Sequence, residues 1–347
     1  VNMNIQLLLD DKRGNIFDIS ELVCEVTWKT TRKGKPSSLD IQLLKDTKLN
    51  ISNGDVISFK VDNNKVFYGY VFENSGSKDI DIKLTAYDQM RYLLNNDTYV
   101  FKNKKANQVI VQIAKDIGLR IGTIEDTGYV IPQILEDDKK LLDIMYSALD
   151  KTLMSTKQTY ALFDDFGYLT LRNINNMKQT AVISDDSNLG DYSWSNSIDN
   201  DTYNRVKIVR DVKVKEEKTN GKNKKDKKDK KNDKNKSSRE VYIAQDSNNI
   251  AKWGRLQYFK KVDEKMNKAQ IQELVNSTLQ LKNKEKKTLK LKDVVSTDLA
   301  NDLKLRAGVG VFIDIKEKGI KQYYLIEDAT HKFEKGNLVM DFDLKVV

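Results

Sequence analysis

The sequence predicts a mixed β-rich α+β protein, with two tube-like antiparallel β-barrel domains and a small α/β insert between them. Three observations carry this. Short runs of alternating apolar residues crowd both ends of the chain, and in the middle the apolar period lengthens to that of helices. Residues 54–73 and 308–327 read as two versions of one β-hairpin, and an internal repeat governs the reading of a whole fold. At a constant offset of 254, the pairs Gly54/Gly308, Tyr70/Tyr324 and Glu73/Glu327 are identical. Seven apolar positions also fall in step: 57/311, 59/313, 61/315, 66/320, 70/324, 71/325 and 72/326.

The first β domain is placed at 1–98. Asn4–Leu9, Leu22–Trp28 and Ser38–Leu43 read as strands, the last with strict alternation of Leu39, Ile41 and Leu43. The hairpin 55–72 follows, then a strand over Asp81–Tyr87 and a short helix over Asp88–Leu94. The insert is placed at 99–172. Ala106, Val109, Ile110, Ile113 and Ile117 mark one helical face that stops at Gly118, and Leu141–Leu153 marks a second. A hairpin turns at Asp164-Asp165-Phe166-Gly167 between Thr159–Phe163 and Tyr168–Arg172. The second β domain is placed at 173–347. It has strands over Tyr203–Val209, Glu240–Ala244 and Leu256–Val262, and a helix carrying Ile271, Leu274, Val275 and Leu279. A short helix over Leu299–Leu305 is expected to be capped by Ser296 or Thr297. The hairpin 308–327 and a strand over Leu338–Val346, entered by the turn Gly336-Asn337, end the chain.

The chain has 347 residues, 39% apolar and 32% charged, which suffices for two to four domains. Cys24 is the only cysteine, so no intrachain disulfide can form, and assembly in a reducing cytosol is natural. No apolar run approaches membrane-helix length, and the N-terminus shows no secretory leader pattern. His331 is the only histidine, which argues against histidine-based catalysis and ordinary zinc sites and leaves it a structural role. No Walker, dinucleotide-binding or nucleophile-elbow glycine motif occurs. Catalytic, cofactor and metal residues are therefore all expected to be absent.

Four places could still carry chemistry. Asp164 and Asp165 could be a carboxylate pair, but neighbouring strand residues point to opposite faces, so a turn is the better reading. Asp185-Asp186 and Asp199-Asn200-Asp201 offer oxygens of the calcium-binding type without a calcium-loop spacing, and read as solvated loops. Residues 212–240 hold 12 Lys and one Arg against six acids, so most of the net charge of +9 sits in this one segment. It is expected to be a disordered loop. Lys224, Lys225, Lys227, Lys228, Lys230 and Lys231 are the candidate contacts for a polyanion, although no aromatics interleave them to stack nucleic acid bases.

Ordered stretches resemble the baseplate hub of contractile phage tails and R-type phage-tail-like bacteriocins, of the XkdQ/YqbQ type. They are Gly54–Val56 with Phe67–Val71, Leu84–Leu93, Tyr203–Ile208, Ile250–Tyr258, and Leu305–Gly308 with Tyr323–His331. The resemblance implies a structural protein with no enzyme activity and no cofactor. It implies a homotrimer whose three pairs of β domains imitate six positions, joining a six-fold tail tube to a three-fold spike. Implied partners are the tube, spike or tip, tape-measure and baseplate wedge proteins, with no membrane and no nucleic acid. It further implies assembly in the bacterial cytoplasm and release in a tail particle. Two other classes stay open on the residues alone: a carboxylate-based peptidoglycan hydrolase, and a polyanion-binding adaptor acting through the lysine loop.

Overall fold

The computed structural model describes residues 3–45, 49–77, 81–213, 237–334 and 336–346. The chain forms two compact units, one of residues 1–196 with 287–347, the other of residues 197–286. The boundary expected at 172/173 is not where the units part. Both chain ends contribute to one continuous core, in which Leu7, Phe59 and Val71 belong with Ile313, Phe333 and Phe342.

The first unit opens with β1 (Ile5–Asp10), β2 (Ile16–Asp18), β3 (Val23–Thr31), β4 (Ser38–Leu44), β5 (Val56–Val61), β6 (Asn64–Gly76) and β7 (Asp81–Tyr87). The insert supplies β8 (Asn96–Lys105), α1 (Ala106–Asp116), β9 (Ile121–Ile124), β10 (Val130–Lys140), α2 (Leu141–Thr156), β11 (Tyr160–Asp164) and β12 (Leu169–Asn173). Then come β13 (Lys178–Ser184) and β14 (Asp191–Ser197). The second unit holds β15 (Arg205–Lys213), β16 (Ser237–Gln245), α3 (Ser247–Trp253), β17 (Gln257–Val262) and α4 (Lys268–Lys282). The chain finishes with β18 (Lys286–Val295), α5 (Leu299–Asp302), β19 (Gly310–Ile315), β20 (Ile320–Glu334) and β21 (Asn337–Lys345).

The sheet order reveals a duplication larger than the hairpin. One path runs β3-β4-β7-β6-β5-β1, the other β14-β18-β21-β20-β19-β13. Taken in chain order, the strands of each path occupy the same places, so each set is one six-strand module. The modules depart at their first strand: β1 pairs antiparallel with β5, whereas β13 pairs parallel with β19. The whole second unit is inserted between β14 and β18, where the first module has only the loop from β3 to β4.

The hairpins themselves match closely. β5 and β19 have the same alternation of buried and half-buried residues. Gly54 and Gly308 precede them at φ of +94° and +93°, a region that costs a residue with a Cβ but not glycine. Gly54 N donates to Val71 O at 2.7 Å, and Gly308 N to Ile326 O at 2.8 Å. The constant offset of 254 does not survive, however. Val56 faces Tyr70, while Gly310 faces Leu325, so the second strands correspond at 255. The tips explain the slip. Asp62-Asn63 forms a two-residue turn with both φ positive, followed by a bulge, whereas the second tip is a four-residue turn over 316–319 with no bulge. The identities Tyr70/Tyr324 and Glu73/Glu327 are therefore not structural equivalents.

The insert packs α1 and α2 through Val109, Ile110, Ile113, Leu142 and Met145 into a core of its own. Its long β8–β10 pair was not legible in the polar sequence of those strands. In the second unit, α4 lays Ile271 and Val275 on Val206 and Ile208 of the β16-β15-β17 sheet. Two further expectations are corrected. The cap of α5 is Asp298, whose carboxylate accepts from Asn301 N, while Ser296 Oγ donates to Asp302. The ends of the segment expected to be disordered are strands, with Val212 opposite Ser238. The strand ladder continues there because edge backbone can pair whatever the side-chain charge.

Candidate assembly interface

The two modules meet where β3 pairs antiparallel with β20, from Asp328 opposite Thr31 to Glu334 opposite Glu25. Alternation sets the faces. Val26, Trp28 and Thr30 point inward with Ala329, His331 and Phe333. Phe333 meets Phe59 of the first module edge-on at 5.1 Å between centroids, a geometry worth about 1 kcal/mol beyond its area. Trp28 lies 4.9 Å from the His331 ring. His331 is fully buried, and its Nε2 sits 3.4 Å from the Asp302 carbonyl oxygen. Burial lowers its pKa to about 4, outweighing that carbonyl, so the imidazole is neutral. The structural role expected for it is the one its position gives.

A polar clasp closes the end of this joint. Arg32 N donates to Glu327 O at 2.9 Å, and Arg32 Nε donates to Glu327 Oε2 at 2.9 Å. Lys345 Nζ approaches Glu327 Oε1 at 2.7 Å. Burial would raise the Glu327 pKa, but the two cations prevail and hold it below the ordinary value. Ala307 N donates to Thr30 Oγ1, and Tyr146 of α2 donates its hydroxyl hydrogen bond to Arg32 O.

Beside the clasp lies a carboxylate pair that sequence spacing does not reveal: Asp88 and Asp164, both buried, with Arg306. Asp88 accepts from Ser37 N at 3.0 Å and Met90 N at 2.9 Å. Asp164 accepts from Gly167 N at 2.6 Å and Gln89 Nε2 at 2.8 Å. Arg306 donates to the Asp164 carbonyl oxygen at 2.8 Å and stacks on Phe163 at 4.2 Å. Burial first, and the Asp164 charge second, push Asp88 up to about 7. Burial likewise raises Asp164 and lowers Arg306. The space there, partly open to solvent, is about 10 Å³, room for about one water. Its position ties the first module, the insert and the second module together. The pair first suspected does not converge: Asp164 is buried and Asp165 exposed.

The other candidates resolve as scaffolding or fall elsewhere. Asp185 accepts from Lys316 N and Glu317 N, and Asp186 pairs with Lys316, so this loop grips the tip of the second hairpin. Asp201 pairs with Lys282. Among the described residues no cluster of metal-ligating side chains occurs. Lys224, Lys225, Lys227, Lys228, Lys230 and Lys231 lie outside the described residues.

Each module also leaves backbone unpaired. Among the described residues β14 pairs with β18 alone, and Ser193, Trp194, Ser195 and Asn196 are exposed. β6 pairs with β5 through Tyr70 and with β7 through Gly76, so past Tyr70 its β5-side edge has no strand partner among the described residues. Glu73–Gly76 are exposed there. Tyr68, Tyr70 and Phe72 form an aromatic row beside this edge, with Tyr92 5.8 Å from Tyr70 and Arg91 5.2 Å above Phe72.

A family model described as YQBQ-like matches residues 26–345. The chain belongs to the YQBQ-like family. Two relatives in Bacillus subtilis (strain 168) align over 331 residues. The uncharacterized protein YqbQ is 30% identical, over 93% of this chain and 92% of its own. The phage-like element PBSX protein XkdQ is 31% identical, over 93% of each. Among solved structures, the 43 kDa tail protein of prophage MuSo2 from Shewanella oneidensis superposes with a TM-score of 0.69 at 14% identity, covering 98% of both chains. This YQBQ-like chain thus shares its fold along its whole length, duplicated modules included, with a tail protein.

Proposed function

We propose that this protein is a structural component of a phage or phage-like tail, and specifically the hub of a contractile baseplate. Three copies form a ring in which two modules per chain occupy six equivalent places. The ring joins a six-fold tail tube to a three-fold spike, next to the tape-measure and wedge proteins, and does no chemistry. It assembles in the bacterial cytoplasm and leaves the cell within the tail particle. The duplicated six-strand module carries this reading. A chain that already joins one module to its repeat by strand pairing has the geometry of a head-to-tail assembly, which closes as a ring when the rotation permits. The kinship to XkdQ of a phage-like element and the fold shared with the MuSo2 tail protein point the same way. The water-sized space beside Asp88 and Asp164 weighs against a carboxylate hydrolase acting there.

Light scattering with size-exclusion chromatography tests the stoichiometry, and electron microscopy of tail particles tests the location. A trimer found at the tube–spike junction is the expected result. A protein that stays monomeric at all concentrations and is missing from purified particles would overturn the proposal.

A further inference from the structure

The internal joint is a template for the joint between copies. β3 holds the same place in the first module that β14 holds in the second, next to β4 and β18 respectively. β6 and β20 correspond in the same way, and each carries a one-residue bulge after equivalent residues, Val71/Glu73 and Ile326/Asp328. Beyond that bulge β20 is covered by β3, with Asp328 opposite Thr31. Beyond its own bulge β6 has no strand partner among the described residues, only the Asn74 side-chain amide donating to Ile51 O and Asn53 Oδ1. The strand that would correspond to its missing partner is β14, whose outer edge likewise pairs with no described strand.

We infer that β14 of one copy adds antiparallel to the Glu73–Gly76 edge of β6 in the next, repeating the β3–β20 joint between chains. The inference rests on the ring reading and gives it a specific contact. The occupant is a second copy of this chain. The molecule already contains this contact once, in its own two modules, and the repeat leaves one complementary half of it in each module without a strand partner among the described residues. The composition of the edges fits a strand joint that must stay soluble before assembly. Glu73, Asn74 and Ser75 on one side and Asp191, Ser193, Ser195 and Asn196 on the other are short, polar or charged, which discourages indiscriminate sheet extension. Trp194, half-exposed, sits in the middle of the β14 strand. Backbone hydrogen bonds would then supply the register, as they do at the internal joint.

Two readouts test this. In a Cys24→Ser background, Glu73→Cys or Ser75→Cys is paired in turn with Ser193→Cys or Ser195→Cys. Strands in this pairing hold facing Cα atoms about 4.5–5.5 Å apart, within disulfide reach. Mild oxidation should convert at least one of the four double variants into covalent multimers on non-reducing gels. The control pair Phe17→Cys with Ser193→Cys should not respond. Amide exchange of the full chain provides a second measurement that needs no particular register. On assembly, residues 73–76 and 191–197 should exchange at least about tenfold more slowly, while the exposed β2 strand should not change. An assembled trimer with no crosslink in any pair and no protection at either edge overturns this inference and leaves the ring reading standing. Failure to assemble at all overturns the ring reading itself.

Discussion

Replacing His331 isolates one ionisation in a protein that has a single histidine. The ring is fully buried among Trp28, Phe333 and Phe342, with centroid separations of 4.9, 6.4 and 6.0 Å. Phenylalanine fills that space and gives up only the 3.4 Å approach to the Asp302 carbonyl, a loss of about 1 kcal/mol or less. An imidazole that titrates near 6.5 when unfolded and about 4 when folded binds its proton more tightly in the unfolded chain. Its contribution to stability is whole above pH 6.5 and is lost as pH falls through the folded value. The full loss is on the order of 3 kcal/mol, of which roughly 2 kcal/mol is gone by pH 5. Urea unfolding of the parent and of His331→Phe, at one protein concentration, should therefore be compared at pH 7.5 and pH 5. Every other titrating group is common to both proteins and cancels in the difference. The variant should gain about 2 kcal/mol on the parent between the two pH values. An unchanged difference would refute the assignment of His331 as a neutral, desolvated part of the joint.

Three further outcomes are expected. Asp88 behaves oppositely to His331: with its pKa raised to about 7, its favourable contribution is whole below its unfolded value near 3.8 and is lost as pH rises through 7. Asp88→Asn should thus gain on the parent in melting experiments at pH 8 relative to pH 5, and equal shifts at both would contradict it. Gly69→Ala would drive a Cβ into the Tyr87 carbonyl oxygen and to 2.6 Å from the Phe67 ring, so it should cost about 1–3 kcal/mol in urea unfolding. Asn204→Ala removes a buried amide that donates to the Asn249 and Gly254 carbonyls and accepts from Leu256 N. It should lower the transition of the second unit by about 2–4 kcal/mol, read by calorimetry, and leave the first unit's transition in place.

The hairpin resemblance shows both the reach and the limit of reading by pattern. Alternation at 57/311, 59/313 and 61/315 located true equivalents, because a period of two is imposed by the pleat whatever the neighbours. Past the tips the same method aligned Tyr70 with Tyr324, one residue out, because a bulge and a longer turn change the count without leaving an apolar signature. Polar strands escaped altogether. β14 is rich in serine and shows no apolar alternation, and in β18 the alternation is confined to Leu289 and Leu291 among its lysines. Asp88 and Asp164 stand 76 positions apart in sequence, and only folding makes them neighbours.

The sequence by itself determined the β-rich class, the helices of the insert, the single histidine and single cysteine, and the presence of a repeat. These depend on local periodicity and residue inventory, which any chain carries on its surface. The tertiary structure alone decided that the repeat is a six-strand module and that β3 closes on β20. It also decided that, among the described residues, β6 past Tyr70 and one side of β14 have no strand partner. Strand pairing between residues 297 to 309 positions apart is a property of backbone hydrogen bonds, which are nearly blind to side-chain identity.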